Sequence, residues 1–228
     1  MSVPTSSGLN GVWASSRSDA WAVGPGGLVL HFDGSEWSEV ASGTSASLFA
    51  VWGLAPDDVW AVGSGGTTIH WNGLTWEPTA SGVTSDLRDV HGSSPDDVWA
   101  VGSGPMIHWN GTLWVSHPSV TGSTVVASWT EAPGNAWCVT NVNQAFHWDG
   151  ATWTEAPPFG SVVNPQDIAV PGASGPVVLG TRAILRLEGD AWVPVGTPPS
   201  LNLLRLWAVS DAEMFAVGAG SEIVRWRE

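Results

Sequence analysis

Short runs of apolar, β-forming residues recur along the whole chain and are separated by Gly, Pro and Asp. Residues 48–86 show the pattern clearly, with runs at 48–52, 59–62, 68–71 and 76–79. Pro-Asp-Asp precedes the second run, a Gly-rich stretch precedes the third, and Asn72-Gly73 precedes the fourth. Asn-Gly between two such runs predicts a tight hairpin, because both turn residues adopt positive φ. The unit therefore predicts four antiparallel strands, and no segment has a helical period of useful length.

The same unit occurs six times. One anchor position, which follows the first apolar residues of each unit, is occupied by Trp13, Trp52, His91, Trp129, Val170 and Trp207. A repeat of about 40 residues rich in β-formers is typical of propeller blades. We therefore predict an all-β fold, a six-bladed β-propeller of four-stranded blades, in a single domain spanning residues 1–228. The predicted units are about 9–47, 48–86, 87–124, 125–165, 166–202, and 203–228 together with 1–8.

The sixth unit stops after its third predicted strand, residues 223–226. Residues 3–8, Val-Pro-Thr-Ser-Ser-Gly, match residues 77–82, Glu-Pro-Thr-Ala-Ser-Gly, which include the fourth strand of the second unit. We therefore expect an N-terminal strand near Val3 to Ser6 to complete the last blade. Such a closure would remove an exposed sheet edge.

The formal charge of −14 argues against nucleic acid and against an anionic membrane surface as partners. No apolar stretch reaches membrane-spanning length, so membrane insertion is not expected. The single cysteine, Cys138, excludes an internal disulfide and is predicted to be a small core residue. Residues 1–10 show no signal peptide. If a leader was removed, we expect a secreted or cell-surface protein; otherwise we expect a cytoplasmic one. We expect a monomer.

The repeat resembles a known class. Its pattern, Val-Trp-Gly, Pro-Asp-Asp-Val-Trp-Ala-Val-Gly, His-Trp-Asn-Gly and a closing Trp within residues 51–76, is similar to the Trp-rich propeller repeats of bacterial surface proteins, particularly those of myxobacteria. It resembles Asp-box and kelch repeats more loosely: residues 33–37 lack the residue normally found between Asp and Gly, and His31 replaces the usual Ser or Thr. The resemblance covers the whole chain and implies a propeller. Its members include lectins and assembly factors, so function must be argued from sites.

A polar register on the third strand consists of His31, His70, His108, His147, Arg186 and Arg225. Sheets stack about 10 Å apart, whereas zinc ligands lie about 2 Å from one ion, so one His per blade cannot build a shared metal site. We expect each of these side chains to bind an acidic residue of the first turn, such as Asp58 or Asp97, and to hold the blade together. Direct ligand contact is the alternative. We predict no metal and no cofactor.

Catalysis is not expected. A sialidase-like propeller would need a Tyr nucleophile, and the chain has no Tyr. No Ser-His-Asp arrangement stands out, and no Gly-rich phosphate loop precedes a helix. We therefore predict that the chain is not an enzyme and has no catalytic residues.

The first-strand register is the predicted ligand site. Its residue varies from Trp to His to Val, and a Trp-to-Val change at a fully buried position leaves a cavity that costs about 3 kcal/mol or more. This variation suggests a partly open position, although ordinary packing between blades is the alternative. The candidate ligand-binding residues are Trp13, Trp52, His91, Trp129 and Trp207.

Two binding functions remain open. Flat aromatic rings beside Asp and Asn suit a sugar ring, and their repetition predicts multivalent, lectin-like carbohydrate binding. The alternative is a protein–protein interaction module or a structural scaffold domain of a larger surface protein. The repeat is less regular from about residue 125 to 200, which favours this alternative because one distinct surface could form there. The predicted partner is a glycan or another protein.

Overall fold

The structure is a computed structural model that describes residues 4–160, 163–172, 174–181, 183–195, 203–210, 213–218 and 222–227. Apart from two short 3-10 turns, Pro25–Gly27 and Ser64–Gly66, its regular elements are strands. They form six antiparallel sheets in chain order, the six blades of a β-propeller, which confirms the predicted fold class. Within this described part, no helix is long and apolar enough to cross a membrane.

The first three blades have four strands each. Their strands are β1 (Gly11–Ser16), β2 (Asp19–Val23), β3 (Val29–Phe32) and β4 (Trp37–Glu39); β5 (Leu48–Ala55), β6 (Asp58–Gly63), β7 (Thr68–Trp71) and β8 (Trp76–Thr79); and β9 (Leu87–Ser94), β10 (Asp97–Gly102), β11 (Met106–Trp109) and β12 (Trp114–His117). The predicted Asn-Gly and Asp-Gly turns join the third and fourth strands. Gly34, Gly73 and Gly111 adopt φ values of 96°, 90° and 87° there, as tight hairpins require.

The next three blades follow the same order. Their strands are β13 (Val125–Ala132), β14 (Asn135–Thr140), β15 (Ala145–Trp148) and β16 (Trp153–Glu155); β17 (Pro165–Ala169), β18 (Val177–Gly180), β19 (Ile184–Glu188) and β20 (Ala191–Pro194); and β21 (Leu203–Ser210), β22 (Glu213–Gly218) and β23 (Glu222–Arg227). The sixth sheet thus has three strands among the described residues. The predicted closing strand begins at residue 3, which lies outside them, and residues 4–8 have no strand assignment.

The chain divides into two compact units, residues 1–119 with blades one to three and residues 120–228 with blades four to six. In the first unit, aromatic rings join neighbouring blades. Trp21 of β2 meets Trp76 of β8 edge-on, with ring centroids 5.2 Å apart, and Trp60 of β6 meets Trp114 of β12 at 5.1 Å. The second-strand Trp of the first and of the second blade therefore packs against the closing Trp of the following blade.

The second unit has two apolar clusters. One contains Ile168, Val178 and Trp192, whose indole N–H donates to the Pro157 carbonyl at 2.8 Å. The other contains Leu206 and side chains of the fifth blade. Cys138 is fully buried, as predicted, and burial raises the pKa of its thiol.

Candidate functional site

The third-strand histidines bind the first turn of their own blade, as the sequence predicted. Each Nε2 atom lies 2.7 or 2.8 Å from a side-chain oxygen at the start of the second strand. The pairs are His31–Asp19, His70–Asp58, His108–Asp97 and His147–Asn135. In the fourth blade an amide oxygen thus replaces the carboxylate.

The same histidine rings stack on the second-strand tryptophans. The centroid distances are 4.3 Å for Trp21–His31, 4.2 Å for Trp60–His70, 4.6 Å for Trp99–His108 and 4.4 Å for Trp137–His147. In the sixth blade, Arg225 forms an ion pair with Glu213 and lies over the Phe215 ring at 5.3 Å. Each of these side chains is held by its own blade, and this arrangement supports a structural role for the register.

In the first unit, two of the predicted ligand residues, Trp13 and Trp52, lie inside the protein. They are 9% and 8% exposed. A β-carbon on Gly53 would lie 2.7–2.9 Å from the Trp13 ring, and one on Gly92 would lie 2.9 Å from the Trp52 ring. Glycine in the following blade therefore makes room for each indole. The expectation of a partly open position is wrong for these two residues, because the following blade covers their rings; ligand binding by them stays a prediction.

His91 occupies the register in the third blade, with its ring centroid 5.2 Å from that of Trp52. Burial lowers its pKa from 6.5 to about 3. The imidazole is therefore neutral at physiological pH. A neutral, partly buried ring suits packing between the two side chains better than binding of an anionic ligand.

The depressed pKa of His91 predicts a pH-dependent stability. Below pH 6.5 the unfolded chain takes up a proton that the folded chain does not bind until about pH 3. The free energy of unfolding should therefore fall as the pH falls, by at most about 1 kcal/mol per pH unit from this group. We expect His91→Gln to reduce the slope by that amount between pH 5.5 and 4.5, as measured by urea unfolding at several pH values. Identical slopes for both proteins would contradict the lowered pKa of His91.

In the second unit, the register is more open. Trp207 is 53% exposed and Trp129 is partly buried, whereas Val170 is 6% exposed. The rings of Trp129 and Trp207 meet edge-on, with centroids 6.3 Å apart and planes at 67°. Of the five predicted ligand residues, the structure thus brings these two together with one ring accessible to solvent.

Trp207 belongs to a larger apolar surface. It pairs with Phe215 across β21 and β22, while Val217 pairs with Ile223 across β22 and β23. Residues two apart on a strand point to the same side of a sheet. Trp207, Phe215, Val217 and Ile223 therefore share one side, which we call the sixth-blade face. Val217 is 44% exposed and Ile223 is 75% exposed.

The other five blades bury the equivalent positions. At the position of Val217 they have Val23, Val62, Val101, Val139 and Leu179, each 0% exposed. At the position of Ile223 they have Val29, Thr68, Met106, Ala145 and Ile184, each at most 2% exposed. Sequence reasoning did not find this surface, because the apolar pattern of the sixth unit is the same as that of the buried blades.

Known structures share the fold of this chain. No family model and no curated protein matches the chain. A solved structure described as YCF48 bound to D1 peptide is 14% identical, with a TM-score of 0.70, and the match covers all of this chain and 94% of that one. YCF48 from Cyanidioschyzon merolae is 18% identical, with a TM-score of 0.76, and the match covers all of this chain and 84% of that one. The chain shares their fold, and identities this low show nothing more.

The carboxylates and histidines of the described residues form no metal site. Within the described ranges, no group of three His, Cys, Asp or Glu side chains is arranged to hold a metal ion. The Asp33 carboxylate, at a hairpin turn, accepts hydrogen bonds from the backbone N–H of Glu36 and from the hydroxyl and the backbone N–H of Ser35, which lower its pKa to about 2. This carboxylate therefore stabilises its own turn.

Proposed function

We propose that this chain is a non-catalytic module that binds a peptide segment of a partner protein on the sixth-blade face. The observation that carries the proposal is the exposure of Val217 and Ile223 at positions that five other blades bury. Exposed, contiguous apolar side chains favour protein contacts, and Trp is enriched among the residues that contribute most of the binding energy in interfaces. The fold likeness to a protein solved with a bound peptide agrees with this assignment.

Carbohydrate binding has less support. A multivalent lectin needs several equivalent, accessible aromatic rings, and the rings of Trp13 and Trp52 are covered by the following blade. The remaining pair, Trp129 and Trp207, forms one local arrangement rather than a repeated one. An apolar sheet surface that includes Val217 and Ile223 also lacks the dense hydrogen-bonding groups that sugar hydroxyls require.

A displayed random-peptide library provides the test. Peptides selected on the purified chain would be labelled, and their dissociation constants measured by fluorescence anisotropy. Ile223→Arg should weaken binding by about tenfold or more, because a charge replaces an apolar contact. The matched control is Leu74→Arg: Leu74 is 84% exposed on a hairpin turn of the second blade, so this change should leave binding unaltered.

Two outcomes would contradict the proposal. One is a selected set of peptides whose affinities are the same for Ile223→Arg and for the unchanged chain. The other is a glycan array with specific binding that Trp207→Ala abolishes, which would favour the lectin-like function. Melting temperatures of all variants, measured in parallel, separate loss of binding from loss of folding.

A further inference from the structure

In the first four blades, the hairpin between the third and fourth strands is held by a side-chain oxygen of its first residue. In the second and third blades this oxygen belongs to an amide, and it accepts hydrogen bonds from the backbone N–H groups two and three residues later. The donors are Leu74 and Thr75 for Asn72, both at 3.0 Å, and Thr112 and Leu113 for Asn110, both at 3.1 Å. Because only the oxygen of an amide accepts hydrogen bonds, this pattern fixes the orientation of both side chains.

The first and fourth blades have a carboxylate in the same place. Oδ1 of Asp33 and Oδ1 of Asp149 each accept the two equivalent backbone hydrogen bonds, at distances of 2.8–3.0 Å. These bonds lower the pKa of both carboxyl groups, that of Asp33 to about 2. The hairpin therefore accommodates a carboxylate instead of an amide with the same hydrogen bonds.

The two amide hairpins differ at the side-chain nitrogen. Nδ2 of Asn72 donates to Oε1 of Glu77 at 3.1 Å. The residue in the register of Glu77 in the third blade is Val115, because each follows the closing Trp of its blade. Valine has no acceptor, and within the described part of the chain Nδ2 of Asn110 has no hydrogen-bond partner. Asn72 is thus held at both ends of its amide and Asn110 at one.

Both asparagines are exposed and precede a glycine, whose backbone nitrogen has no side chain to obstruct it. In the third blade, the backbone nitrogen of Gly111 can lose its proton to solvent and bond to Cγ of Asn110, which moves negative charge to Oδ1. The Cγ–Nδ2 bond then breaks, and ammonia leaves with a proton from water. Water opens the resulting cyclic imide to Asp or isoaspartate, so the net reaction takes up one water and releases one ammonia.

The contacts of each amide determine how easily this reaction proceeds. Two backbone N–H groups approach Oδ1 at the distance at which oxyanion holes stabilise a developing charge. Asn72 has the same two donors, but its bond to Glu77 must break before the amide can turn, and the carboxylate opposes new negative charge nearby. One net hydrogen bond corresponds to a factor of about three or more in rate.

We infer that Asn110 is a site of spontaneous deamidation in the folded chain, and that Val115 in place of Glu77 makes it react faster than Asn72. Conversion to Asp adds one negative charge and gives the third blade the carboxylate hairpin of the first and fourth blades. The remaining Asn-Gly pair lacks this arrangement, because Nδ2 of Asn10 donates to the Leu48 carbonyl at 2.8 Å.

The test is a time course of the folded chain in neutral buffer, followed by tryptic digestion and mass spectrometry. Trypsin cleaves after Arg17, Arg88 and Arg182, which separates Asn10, Asn72 and Asn110. Asn110 should react at least about threefold faster than Asn72. Glu77→Val should raise the rate at Asn72 by about that factor, and Val115→Glu should lower the rate at Asn110. In each variant the other hairpin is the internal control.

Equal rates at Asn72 and Asn110 in the unchanged chain would overturn the inference, as would rates that neither substitution alters. The same difference in rates in concentrated urea would also overturn it, because the neighbouring sequence and not the folded hairpin would then be the cause. Asn110→Asp should melt at the temperature of the unchanged chain, since the carboxylate accepts the same two bonds. A clear loss of stability would contradict a carboxylate hairpin in the third blade.

Discussion

Replacing Gly66 with Ala is expected to lower the free energy of unfolding by about 2–5 kcal/mol, because two costs combine. Gly66 has a φ of 74°, in the left-handed region, where an L-residue costs about 1–2 kcal/mol. Its β-carbon would also lie 2.1 Å from the backbone oxygen of Val83, so the backbone would have to move. Such displacement in a packed region typically costs a further 1–3 kcal/mol, roughly.

The adjacent Gly65 provides the control. Its φ is 63°, but a β-carbon there would meet no atom within 4 Å. Gly65→Ala should therefore cost only the left-handed conformation, about 1–2 kcal/mol. Urea unfolding followed by Trp fluorescence measures both variants. Equal losses of stability at the two positions would show that backbone conformation alone, and not the close approach to Val83, sets the need for glycine.

Trp60→Ala is expected to lower the free energy of unfolding by about 3–5 kcal/mol, the range for deletion of a buried Trp. Trp60 is 1% exposed. Its ring lies against His70, Trp109 and Trp114 at centroid distances of 4.2, 5.0 and 5.1 Å. The cavity would thus open between the second and the third blade.

Two further substitutions separate the roles of the first-strand tryptophans. Trp207→Ala should cost no more than about 1 kcal/mol, because the ring is 53% exposed. Trp52→Ala should cost nearly as much as Trp60→Ala, because its ring fills the space above Gly92. The same unfolding measurement applies to all three. A decrease in the free energy of unfolding of less than about 1 kcal/mol for Trp52→Ala would contradict the packed position of its ring.

The sequence predicted those features that depend on local contacts within one blade. The hairpin turns follow from Asn-Gly and Asp-Gly, because the conformation of a two-residue turn is set by the residues in it. The pairing of His70 with Asp58 also lies within a single sheet, where the spacing of 12 residues and the strand register bring the side chains together. Charge and composition likewise belong to the chain itself.

Only the tertiary structure decided which apolar residues are accessible. Trp52 and Trp207 occupy the same register, yet the first is 8% exposed and the second 53%. Val62 and Val217 are both valines at equivalent positions of their blades, yet Val62 is buried and Val217 is 44% exposed. The physical reason is that burial of a blade's face depends on what packs against it from outside the blade. The sequence of a repeat specifies its strands and their two sides, but not whether a given side has a neighbour.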